Sequence, residues 1–168
     1  MKDLERRFPG VRFYNAALTE VQINVSIGVG TRIGSMTLIH DGASIGSGTT
    51  IGSHCNICDC RIGDRVSIQT GCHITRGVVI EDDVFIGPGV ITLNDKLRGD
   101  DPIAYPRICR GAKVGGGSVI LPGVTIGERA TVGAGSVVRR NVPAGRTTLG
   151  DPIHVRRRAY GSTTRIDE

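Results

Sequence analysis

The chain has 168 residues, a formal net charge of +5, 25 glycines, no tryptophan and only 4% aromatic residues. This length suits one domain, and the composition excludes an aromatic-rich core, a collagen-like or disordered chain and the interleaved aromatics of a nucleic-acid stacking platform. The surplus of positive charge suits a small anionic ligand instead. No apolar run approaches the ~18 residues of a membrane span, and the opening "MKDLERRFPG" lacks the apolar segment of a signal peptide. A cytoplasmic protein with no membrane span and no nucleic-acid partner is expected.

Residues 1–20 lie outside clear repetition and are expected to cap the first coil, shielding a strand edge. From Val21 an aliphatic residue recurs at every sixth position, through Ile27, Ile33, Ile39, Ile45, Ile51 and Ile57. After a one-residue skip the series runs Ile62, Ile68, Ile74, Ile80 and Ile86, and later Ile108, Val114, Ile120, Ile126, Val132 and Val138. A second register four residues on is small or β-branched: Thr31, Thr49, Cys55, Val66, Cys72, Ala112 and Ser118 among others. Period six fits neither a helix nor plain strand alternation. It fits a short strand and a corner, three to a turn, stacking as parallel strands. The aliphatic residues fill the interior, and glycines such as Gly34 and Gly115 are expected at corners for their backbone freedom. The predicted fold is all-β, a triangular coil over 21–142 of about six turns and roughly 30 Å in height.

Cys55, Cys58 and Cys60 are spaced like a metal cluster, but Cys55, Cys60 and Cys72 fall in the small inward register. Buried structural thiols are the expectation, with no metal; free thiols suit a reducing compartment. The four histidines, His40, His54, His73 and His154, do not offer the close pair a three-histidine zinc site needs. His73 precedes an inward Ile and so faces outward, either as a general base or as a solvated surface histidine. The acids of "EDDVFIGPG", Glu81 to Gly89, read as solvated corner residues.

At Thr92 the beat stops, and it resumes at Ile108. If the coil keeps three sides, about ten residues are extra and must leave from a corner, as a loop at 93–107. Beyond 142, segment 143–168 carries "HVRRR", ending at Arg158, which is solvated or packs back toward a phosphate.

The repeat, together with "TLNDK", "RGAKVGGGSVILPGVTIGERATVGAGSVV" and "VPAGRTTLGDP", resembles the hexapeptide acyltransferases, in particular N-acetyltransferases acting on amino sugars carried by nucleoside diphosphates. The resemblance implies a left-handed parallel β-helix, a hand opposite to the usual crossover rule. It implies a homotrimer, with acetyl-CoA as donor in the groove between neighbouring prisms and a small-molecule amino-sugar nucleotide under the loop. The sequence departs from the family pattern in two places. Leu93 separates Thr92 from Asn94, and Pro106-Arg107 comes late, just before "ICRGA".

Acyl transfer to an amine needs a neutral amine beside the thioester carbon and a donor for the oxyanion. On the resemblance, Asn94 orients the amine, with Asp95 or His73 as base if one is required; the alternative for Asn94 is a turn residue. Lys96, Arg98 and Arg107 are candidates for the diphosphate, against solvated loop charges. Gly116, Gly117, Ser118, Ala134 and Gly135 form an expected shelf for the pantetheine arm, with Ser136 beside it. Arg139, Arg140 or the Arg156–Arg158 run would meet the CoA phosphates. Two rival functions remain: an O-acetyltransferase, which needs a stronger base, and a non-catalytic β-helix scaffold.

Overall fold

The computed structural model describes residues 2–95 and 103–149. Among them are twenty-one two-residue strands on three parallel faces. The first face has eight, from Arg12–Phe13 to Thr147–Thr148. The second has seven, from Glu20–Val21 to Val137–Val138, and the third six, from Ser26–Ile27 to Thr125–Ile126. A bridge from Val142 to Ile126 extends the third face. This is a left-handed parallel β-helix of about 7 turns, rather than about six. Within the first twenty residues, Arg12–Phe13 already pairs with Arg32–Ile33. Beyond residue 142, Thr147–Thr148 pairs with Thr131–Val132.

The inward aliphatics stack in register. On the first face Ile33, Ile51, Ile68, Ile86, Val114 and Val132 lie directly over one another, all at most 1% exposed. The N-terminal end is closed by helix Lys2–Arg7, whose Asp3 and Glu5 in the first turn and Arg6 and Arg7 in the last oppose its dipole. Phe8 and Phe13 pack there with tilted rings 6.1 Å apart, and the Arg7 guanidinium donates to the carbonyls of Val21 and Gln22.

The second register does more than fill space. Thr31, Thr37 and Thr49 each donate a hydroxyl to a corner carbonyl of the next coil, at Gly46, Gly52 and Gly63, over 2.8–2.9 Å. The Cys55 and Cys72 thiols do the same to Gln69 and Gly87, both at 3.1 Å. Ser118 and Ser136 donate to Gly115 and Gly133 at 2.7 and 2.6 Å. At these positions the small side chain also brings a donor that satisfies buried backbone, and Cys is one such residue; elsewhere in the register Val66, Val84 and Ala112 only fill space. Burial pushes the Cys60 thiol well up, and Cys58 up less far. Among the described residues, no three His, Cys, Asp or Glu side chains converge as a metal set.

Glycine after the inward aliphatic serves close approach rather than unusual backbone angles. A Cβ on Gly34 would sit 2.3 Å from the Ser53 nitrogen, and one on Gly115 2.4 Å from that of Ala134. The left-handed corners are separate positions. Non-glycine residues hold six of them, among them His54, Arg65 and Asp83.

Candidate active site

The loop leaves the corner between the second and third faces. Thr92 takes the inward slot that an aliphatic residue fills elsewhere, fully buried and paired with Ile120. Its hydroxyl accepts the Thr75 N–H at 2.9 Å and lies 3.0 Å from the Thr75 hydroxyl. Two residues on, the Asn94 side-chain amide donates to the Arg76 carbonyl at 2.9 Å, one coil below. The Asn94 carbonyl accepts the Ala104 N–H at 3.3 Å, so outgoing and returning chains are tied together at the root. Asn94 is half-buried and Asp95 exposed.

The returning chain is wedged between coils. Tyr105 lies against Gly77 so closely that a Cβ there would be 2.1 Å from its ring. On the other side, a Cβ on Gly123 would meet Ala104 at 3.2 Å. Arg107 opens the next third-face strand and does not project freely. Its guanidinium meets one Glu81 oxygen at 2.5 and 3.0 Å, while the other Glu81 oxygen accepts the Arg110 N–H at 2.9 Å. That N–H first, and Arg107 after it, hold the Glu81 carboxyl below its usual range against the opposing effect of burial. Asp82 pairs with Arg110 at 3.2 Å, and Asp83 takes Arg65 through two bonds of 2.7 and 2.9 Å. The acids of "EDDVFIGPG" are thus a ladder of ion pairs, more organised than solvated corner residues.

His73 faces outward on the second face, half-buried, with Asn56 on one side and Ile91 on the other. It is near the loop root, because the Thr92 hydroxyl also reaches its carbonyl at 3.4 Å. The expected CoA shelf lies on a different corner, between the first and second faces. There Gly117 and Gly135 hold φ of 67° and 69°, with nothing within 4 Å of an added Cβ. Gly116 and Ala134 precede them on the same corner. Ser118 is fully buried and Ser136 nearly so; both hydroxyls serve the corner carbonyls, so neither presents its side chain to the shelf. Arg139 rises on the loop's own corner, beside Arg140 and Arg146 at the rim of a 470 Å³ cavity at the C-terminal end. Lys96, Arg98 and Arg156 lie outside the described residues.

Within one chain the loop root and the shelf therefore occupy opposite edges of the second face. Between them runs an outward aliphatic column, Ile91, Val119 and Val137, stacked in register. Sequence reasoning missed Tyr105, Glu81 and the Arg76 carbonyl. Counting one coil back from Asn94 would have found Arg76.

The bacterial transferase hexapeptide (six repeats) family matches residues 59–94 and 105–140. The chain is 38% identical over 96 residues, 56% of its length, to a serine acetyltransferase of Buchnera aphidicola, of which it covers 35%. It spans between about a third and about half of the length of the curated relatives it matches. Its fold matches the acetyltransferase domain of PglB from Neisseria gonorrhoeae in complex with acetyl coenzyme A, with a TM-score of 0.51 and 20% identity, over 85% of this chain and 56% of that one. It also matches a mutant GDP-perosamine N-acetyltransferase of Caulobacter crescentus in complex with CoA and GDP-perosamine, at 0.50 and 22%, over 84% and 54%. The matched hexapeptide blocks lie on both sides of the loop, and the β-helix continues through and beyond them.

Proposed function

We propose that the chain transfers an acyl group, acetyl in the first instance, from acyl-CoA to the amino group of a nucleoside-diphosphate-linked amino sugar. The observation that carries this is the fixed amide of Asn94. With its nitrogen committed to the Arg76 carbonyl, its oxygen is left as an acceptor at the loop root. An amine N–H donated to that oxygen would turn the nitrogen lone pair toward a thioester. The amine nitrogen then bonds to the thioester carbon, the C–S bond breaks and CoA leaves as thiolate. The proton lost by the amine goes to the thiolate, or to Asp95 or His73 as base. A fold neighbour that holds CoA together with GDP-perosamine supports this reading.

A homotrimer belongs to the same proposal. The loop root and the glycine shelf lie on opposite edges of one face, so a second copy is needed to bring shelf to root. The column Ile91, Val119 and Val137 offers an apolar surface for that contact; Ile91 and Val137 are about 40% exposed.

A second reading, O-acetylation, is favoured by the serine acetyltransferase relatives. A hydroxyl is a poorer nucleophile and needs a base, and His73 would supply it. The test is to offer acetyl-CoA with UDP- and dTDP-linked amino sugars, and separately with serine, and follow thiol release. Turnover with the amines supports the first reading, and turnover with serine alone supports the second. Absence of both turnover and acetyl-CoA binding overturns both.

A further inference from the structure

Below the loop, on the third face, lies a groove of about 610 Å³, within the usual size of a small-molecule site. Its floor is the outward column Ser44, Arg61 and Val79, in register on adjacent strands. Its edge is the corner that carries Asp59 and Arg76, and Tyr105 of the returning loop contributes to its lining. The side chains of Arg61 and Arg76 pair with no carboxylate among the described residues, whereas Arg65, Arg107, Arg110 and Arg129 all do. Both are exposed, so two uncompensated guanidinium groups flank one concavity. The Arg76 carbonyl also anchors Asn94, so one residue of the groove lining is bonded to the side chain at the loop root.

We infer that this groove holds the nucleoside diphosphate of the acceptor, with Arg61 and Arg76 on the two phosphates. The inference rests on the proposed function and deepens it. Arg is suited to phosphate because its planar fork donates two parallel hydrogen bonds. Asp59 disfavours a bare cluster of phosphates there, but it accepts from ribose hydroxyls, which a nucleotide brings with its diphosphate. Tyr105, 46% exposed, offers a ring face for the base. These residues replace Arg107, whose guanidinium Glu81 already holds.

The test uses the full chain and titrates UDP, dTDP and inorganic pyrophosphate by calorimetry, with acetyl-CoA as a separate ligand. Arg61→Gln and Arg76→Gln are each expected to weaken nucleotide binding by about tenfold or more, with acetyl-CoA affinity unchanged. With the amino-sugar substrate, KM should rise while kcat holds. Lys113→Gln, on the first face, controls for net charge, and melting curves control for folding. Nucleotide binding unchanged in the double variant overturns the inference even if acetyl transfer proceeds, and so does a chain that binds acetyl-CoA but neither nucleotide. If both variants lose nucleotide binding but no amine is acetylated, the groove assignment stands and the proposed reaction falls.

Discussion

The side-chain amide of Asn94 reaches back 2.9 Å to the main-chain carbonyl of Arg76, across the gap between two coils. The bond continues the coil-to-coil ladder at the point where the chain leaves it, and it leaves the Asn94 oxygen as the group presented at the loop root. Asn94→Ala removes both functions. We expect kcat to fall by about tenfold or more, ~1.4 kcal/mol of barrier, with a loss of stability of about 1 kcal/mol. Asn94→Asp keeps an acceptor but sets a carboxylate against a carbonyl, and should lose loop order as well as rate. Steady-state kinetics with thermal melts check both. An Asn94→Ala enzyme within about twofold of wild type would remove Asn94 from the mechanism.

Thr49 tests whether the second register is chosen for its donor. Its hydroxyl donates to the Gly63 carbonyl at 2.9 Å and accepts the Val66 N–H at 3.1 Å, and the residue is fully buried. Thr49→Val keeps the shape and strands both backbone groups, so a loss of about 1–3 kcal/mol is expected. Thr49→Ser keeps the hydroxyl and should cost less than about 1 kcal/mol. Denaturant midpoints of the two variants decide; equal losses would mean that only volume matters there.

Glu81 ties the loop's return to the corner through Arg107 and the Arg110 N–H. Its carboxyl is held below its usual range, first by that backbone N–H. A group whose folded pKa is depressed adds stability above its unfolded pKa, about 4.3 for Glu, and loses it as pH falls through the folded value. Glu81→Gln should therefore melt below wild type at pH 6–7. The difference should shrink as pH drops below about 4. Melting temperature against pH for the two proteins checks the sign, and a constant offset would remove the carboxylate from the effect.

The fold was legible because the coil repeats its demands every six residues. Ile33, Ile51, Ile68 and Ile86 meet the same interior, so the pattern survives single substitutions. Cys55 and Cys72 were legible as inward residues for the same reason. The extra turn was not, because Phe13 stands in place of the usual aliphatic residue and the stretch between it and Val21 holds a short 3-10 helix, Ala16–Leu18. The site was legible only at its root. Asn94 is marked by its place at the break, but its partner is a main-chain carbonyl, which only a count of one coil, 18 residues back, would reach. The charge of Arg107 was visible in sequence, but its partner, Glu81, lies 26 residues away and was not.

Gly77 and Gly71 separate the loop's packing from its backbone. Both hold left-handed corners, at φ of 80° and 73°. A Cβ on Gly71 meets nothing within 4 Å, whereas one on Gly77 falls 2.1 Å from the Tyr105 ring. Gly71→Ala should cost only the left-handed backbone term, about 1–2 kcal/mol. Gly77→Ala carries that term and must also push Tyr105 off the corner, for a further 1–3 kcal/mol or so of overpacking. The excess should vanish in Gly77→Ala/Tyr105→Ala, because the clash needs both side chains, and that coupling is what a double-mutant cycle measures. The same displacement moves Ala104, whose N–H closes on Asn94, so Gly77→Ala should also lower kcat while Gly71→Ala leaves it unchanged. Equal behaviour of the two alanine variants would mean that Tyr105 does not rest on Gly77 in solution and that the loop's return is held by Glu81 and Arg107 alone.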